Sequence, residues 1–192
     1  MSTLIRPAIV LLLVMTFLTG IVYPLAVTAI AQALFSDRAA GSLVSVDGHP
    51  AGSRLIGQAF SDPKYFWSRP SGTAPQPYNA IASSGSNQGP LNPALTDAVK
   101  SRIEALKAAD LDNKLPVPVD LVTASGSGLD PDISIAAAHY QAARVARVRG
   151  LETKAVDSLI DTHARGRLLG LIGEPRVNVL ELNLALDHLQ TR

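Results

Sequence analysis

Hydrophobic and polar positions split this chain near residue 36. Between Arg6 and Asp37 lie thirty residues, Pro7 to Ser36, without one ionised side chain. They read PAIVLLLVMTFLTGIVYPLAVTAIAQALFS. About 20 apolar residues carry a helix across the hydrocarbon core, so this run predicts a transmembrane anchor over residues 1–36. The competing reading is a cleaved signal peptide, with Ala31-Gln32-Ala33 as the small-residue site. The apolar stretch from Ala8 to Ala33 is, however, far longer than the usual apolar region of a leader. Both readings put residues 37–192 outside the cytoplasm, and no second long apolar run follows. Within the anchor, Thr16, Gly20, Pro24, Thr28 and Ala31 recur at steps of about four. That small-residue face suits close packing against partner helices, and Pro24 is placed to bend the helix.

Beyond the anchor the periods shorten. GSLVSV (41–46) and SRLIGQAF (53–60) read as two strands, with Asp47-Gly48 as a turn signal between them. From Ser61 to Asn92 neither period survives, and Pro, Gly and Ser crowd the segment. Yet Tyr65, Phe66, Trp67 and Tyr78 sit there, and such residues are scarce in disordered chain. The segment is therefore expected to be an ordered loop that supplies contacts. Its candidate contact residues are these four aromatics with Arg69, Asn79 and Asn87.

Asn92-Pro93 opens a helix to about Ala109 with Leu95, Val99, Ile103 and Leu106 as its apolar stripe. Asp110 to Asn113 resembles the start of a calcium loop but lacks the Gly and closing Glu, and reads as a solvated turn. PVPVDLVTA (116–124) reads as a strand. Asp130-Pro131 reads as cap and first turn of a helix over Asp132–Arg149, closed by Gly150. The arginines Arg144, Arg147 and Arg149 suit its negative end. A helix over 152–164 carries Val156, Leu159, Ile160 and His163 on one face. An apolar connection follows at 166–173, and a last helix spans 177–189. The fold class expected is α+β: a single N-terminal transmembrane helix, then one extracytoplasmic mixed domain over 37–192.

Composition narrows the function. Setting Arg6 aside, 16 Lys+Arg face 16 Asp+Glu, and there is no Cys. A neutral domain is a poor nucleic-acid binder, and thiol chemistry and disulfides are excluded. His49, His139, His163 and His188 match no zinc spacing. There is no G-x-S-x-G elbow. The Gly/Ser stretch 125–128 lacks the Lys of a phosphate-binding P-loop. No catalytic set and no metal site is expected.

Taken as text, the chain resembles one family, the C subunit of the Kdp-type potassium-transporting ATPase. The matching stretches are GIVYPL (20–25), GSRLIGQAF (52–60), YFWSRPS (65–71) and PYNAIASSGSNQGPLNP (77–93). VTASGSGLDPDIS (122–134), QAARVARVRGL (141–151) and GEPRVNVLELNLALD (173–187) continue the series. Ser83-Ser84 departs from the more Gly-rich variants of its loop. The resemblance implies a non-catalytic accessory subunit of a potassium import complex in the bacterial inner membrane. Its implied partners are a channel-like potassium-translocating subunit, a P-type ATPase subunit and a small single-span subunit, with lipid around the anchor. It also implies a chaperone effect that raises the ATPase subunit's affinity for ATP. Any nucleotide contact would fall on Gln141. The alternative reading is a membrane-anchored envelope hydrolase.

Overall fold

The computed structural model describes residues 2–190. Its contacts divide it into two compact units, with the boundary between Ala51 and Gly52.

In the first unit, helix α1 (Ser2–Phe17) runs through a π-helical turn at Leu18–Val22 into α2 (Tyr23–Leu34). The continuous apolar helix Thr3–Leu34 is 32 residues long, enough to cross a membrane, and none of it is packed inside the protein. The π turn has a local cause. Pro24 has no N–H to give to the carbonyl four residues earlier, and its ring crowds that carbonyl. The helix answers by widening one turn, where Tyr23 donates its N–H to the Leu18 carbonyl. A short helix α3 (Ser36–Ala39) follows.

Strands β1 (Leu43–Val46) and β2 (His49–Ser53) pair as a hairpin. Asp47 and Gly48 turn it with φ of 50° and 79°, the doubly left-handed turn that matches strand twist. The second strand expected at 53–60 is thereby corrected. A two-residue turn makes the partner strand begin at His49, and residues 54–60 leave the ladder.

The second unit is built mainly from helices. Helix α4 (Pro93–Ala109) is capped by Asn92, whose side chain accepts the Ala94 N–H. Val99, Ile103 and Leu106 of the expected stripe pack on the core. The strand expected at 116–124 is instead a 3-10 turn at Val119–Leu121. Pro116 and Pro118 remove ladder donors, and Asp120 instead accepts the Ser134 N–H at 2.7 Å.

Strand β3 (Asp132–Ser134) leads directly into helix α5 (Ile135–Arg149). This shortens the helix expected from Asp132, and Ser134 rather than Asp130 is its cap, accepting the Ala137 N–H. Gly150 closes α5 at φ 67° as expected. Helix α6 (Thr153–His163) buries Val156 and Ile160. Strand β4 (Arg176–Asn178), unforeseen in the sequence, pairs antiparallel with β3, Ile133 opposite Val177, and runs into helix α7 (Val179–Gln190). The core is largely aliphatic, with Ile133, Val145, Ile160, Leu182 and Leu186 fully buried, joined by Tyr140 of α5 and, from far away in sequence, Phe66.

Candidate functional site

The Pro/Gly-rich segment is ordered, and helices α5 and α7 are what hold it. Two side-chain amides take the backbone of consecutive residues. Asn183 accepts the Phe66 N–H at 2.8 Å and donates to the Phe66 carbonyl at 3.0 Å. Gln141 accepts the Trp67 N–H at 2.8 Å and donates to the Trp67 carbonyl at 3.2 Å. A primary amide has donor and acceptor side by side, so each serves one residue as a neighbouring strand would. Between these clips the Phe66 ring is driven fully into the core.

Two arginines of α5 complete the grip. Arg144 is 2% exposed, donates to the Pro63 carbonyl and to Gln141 Oε1, and lies 4.7 Å from the Trp67 ring centroid. Burial pulls its pKa down to about 10, with Asp110 acting in the opposite direction. Arg149 donates to the Lys64 carbonyl at 2.7 Å and to Asp187 at 2.8 Å, over the Tyr65 ring. The Tyr65 hydroxyl reaches the same carboxylate at 3.1 Å. These two arginines thus bind the loop, a larger role than satisfying the helix dipole. Arg147 pairs with Asp110 at 2.6 Å. The turn expected at Asp110 to Asn113 is present with Leu111 and Asp112 exposed, but Asp110 itself is buried.

A second station holds residues 69–86. Arg69 pairs with Asp130 at 2.8 Å. The Ser71 hydroxyl donates to the Gly128 carbonyl and accepts the N–H of Thr73 and Tyr78. Thr73 Oγ1 accepts the Asn79 N–H and donates to the Gln76 carbonyl. The Tyr78 hydroxyl donates to the Arg69 carbonyl, and burial raises its pKa. Backbones approach closely here. A Cβ on Gly128, at φ 68°, would stand 2.6 Å from the Ser84 carbonyl oxygen. The Gly/Ser stretch 125–128 therefore packs against this loop, and it leads into β3 rather than into a helix.

The candidate residues fall into three groups. Phe66 and Gln141 are buried, and both ends of the Gln141 amide are occupied by the protein itself. Tyr65, Trp67, Arg69, Tyr78 and Asn79 are half-buried, each bonded within the loop or to its seat. Asn87 is exposed, as are Thr16, Gly20, Pro24 and Thr28 of the apolar helix. The loop also presents Ile81 and Leu91 almost wholly to solvent. Sequence reasoning missed Asn183 and Asp187, although an Asn and an Asp four apart on an otherwise apolar helix face were the visible signal.

The chemistry available is that of packing and recognition. Among the described residues no group of His, Asp and Glu is placed to hold a metal ion. His139 sits 2.8 Å from Asp157, with no hydroxyl hydrogen-bonded to it as a nucleophile among the described residues. A cavity of about 450 Å³ beside β3 and β4 is lined by charges already paired, Arg69 with Asp130 and Arg176 with Asp132.

A family model described as "KdpC: K+-transporting ATPase, c chain" matches residues 5–188. The "Potassium-transporting ATPase KdpC subunit" of Variovorax paradoxus (strain S110) is 67% identical over 187 residues, 97% of each chain. The protein of that name from Dechloromonas aromatica (strain RCB) is 65% identical over 187 residues, 97% of this chain and 98% of its own. That from Herpetosiphon aurantiacus is 58% identical over 191 residues, 100% of this chain and 99% of its own. With a match from α1 through α7, this chain belongs to the KdpC family, the c chain of the K+-transporting ATPase.

Proposed function

We propose that the chain is the non-catalytic accessory subunit of an ATP-driven potassium import complex in the bacterial inner membrane. It is anchored there by one helix, with residues 37–192 outside the cytoplasm. The carrying observation is the match to the KdpC family over residues 5–188, anchor and domain together. The partners in this reading are a channel-like subunit, a P-type ATPase subunit and a small single-span subunit. Catalysis and ion passage belong to them. One helix offers no protein-lined polar path for an ion.

Two surfaces serve assembly. The anchor meets partner helices through Thr16, Gly20, Pro24 and Thr28. The seated loop offers Asn79, Ile81, Asn87 and Leu91 to a partner at low entropic cost, because it is already ordered. Any rise in the ATPase subunit's affinity for ATP is relayed through assembly. The Gln141 amide is committed to Trp67, and an extracytoplasmic domain does not meet cytoplasmic ATP. Nothing in the site favours the hydrolase reading.

The test is recovery of the complex. The tagged chain, extracted in mild detergent, should bring polytopic partners with it. Gly20→Leu should reduce that recovery several-fold while the chain still inserts, since a bulky side chain in place of hydrogen holds helix backbones apart. Unchanged recovery from Gly20→Leu removes the packing role of the anchor. A chain that emerges alone removes the assembly reading itself.

A further inference from the structure

The segment between α6 and β4 forms a small hairpin of its own. Arg165 and Arg176 exchange both backbone hydrogen bonds, at 2.8 and 3.0 Å. Leu168 and Ile172 form a second bridge nearer the tip. At the end, Leu168, Leu169, Leu171 and Ile172 are 66%, 85%, 83% and 64% exposed. Four adjacent large apolar side chains in water are unfavourable, and clusters of this kind mark contact sites. The apex adds to this. Leu169 takes φ 54° and Gly170 φ 75°, a turn that Asn-Gly would adopt with less strain. A leucine stands at the apex despite that conformational cost.

Backbone and charge say what the tip meets. The N–H groups of Leu168, Gly170, Leu171 and Ile172 are all bonded within the hairpin. With most of its donors satisfied at home, such a tip suits the lipid–water interface, where the apex Leu169 N–H still meets water or headgroup oxygens, rather than the hydrocarbon centre. At its base stand Arg165, Arg167 and Arg176, each side chain about half exposed. Residues 165–176 hold these three arginines against one acid, Glu174. The arginines pair with Glu181, Glu174 and Asp132. The Arg167–Glu174 pair is exposed on both sides and weak, so a phosphate can take its place. Arg165 and Arg176 keep their partly buried carboxylates and have further guanidinium N–H groups for a phosphate, with the long stems reaching past the apolar tip.

We propose that this hairpin is a second membrane attachment, in which Leu168, Leu169, Leu171 and Ile172 enter the lipid–water interface and the three arginines meet lipid phosphates. The proposal rests on the membrane-anchored reading, which puts a bilayer and this hairpin on the same chain.

The chain has no cysteine, so Leu169→Cys can carry a single environment-sensitive fluorophore. Lys154→Cys, on the exposed face of α6, is the control. The full chain is reconstituted into phosphatidylethanolamine/phosphatidylglycerol vesicles, with and without its co-purifying partners. The label at 169 should lose fluorescence to lipid-borne nitroxide and resist aqueous iodide, and the label at 154 should do the reverse. Adding Leu171→Glu and Ile172→Glu should restore iodide quenching at 169. Iodide quenching at 169 in every sample would overturn the proposal. Shielding from both quenchers only with partners present would overturn it in favour of a protein pocket. Failure of the chain to float with the vesicles would instead overturn the anchored reading beneath it.

Discussion

Phe66→Ala should destabilise the domain by about 3–5 kcal/mol, the usual cost of emptying a buried aromatic site. The ring is fully buried among residues of α5, α6 and α7 yet belongs to a segment without regular structure. Its loss removes the main apolar reason for the loop to stay on the helices. The two amide clips remain, but they hold backbone that water can also satisfy. Denaturant unfolding of the full chain in detergent measures the effect, read through Trp67, the single tryptophan. Ile81→Ala is the control. That side chain is 99% exposed, and such changes stay within about 0.5 kcal/mol. A loss below about 1 kcal/mol for Phe66→Ala would mean the loop is not seated by its aromatic.

Gln141→Ala should cost roughly 3 kcal/mol, more than an ordinary hydrogen bond. It leaves the Trp67 N–H and carbonyl without their buried partner and takes an acceptor from the buried Arg144 guanidinium. Because the damage includes an under-satisfied buried cation, a second change should repair part of it. Gln141→Ala with Arg144→Met should therefore be less damaging than the two single losses added together. Strict additivity would show that the two side chains act independently. Amide exchange at residues 63–67 should rise in Gln141→Ala before exchange in α6 does. Any change in ATP affinity of the assembled ATPase should track that loosening.

The long N-terminal apolar helix was legible because its signal is one of composition alone, thirty residues without a charge. Helices α4 and α6 were legible because their apolar stripes keep a helical period and face one core. The hairpin turn at Asp47-Gly48 was legible from its residue types, but the partner strand was not. His49-Pro50-Ala51-Gly52 has none of the usual strand residues, and the turn imposes the pairing. Strands β3 and β4 are three residues each, too short for any period, and exist because Ile133 and Val177 meet in the core.

The loop shows the same division. Its aromatics announced order, but where they bind depended on Asn183, Gln141, Arg144 and Arg149, which lie 74 or more residues from the backbone they hold. Arginines near a helix C-terminus satisfy a local rule, and that rule concealed their long-range role. In sequence, Gln141 was read through a family attribution, whereas the structure gives its amide a complete set of partners at home.

The central claim is that the chain sustains potassium import by holding the complex together, without chemistry of its own. It is tested most directly by deleting the chain in a strain without other potassium uptake systems. Growth at very low potassium and potassium-stimulated ATPase activity of the extracted membranes are then measured. Both should be lost, and both should return with the intact chain but not with the domain lacking residues 1–36. Normal growth with undiminished potassium-stimulated ATPase activity in the deletion strain would contradict it.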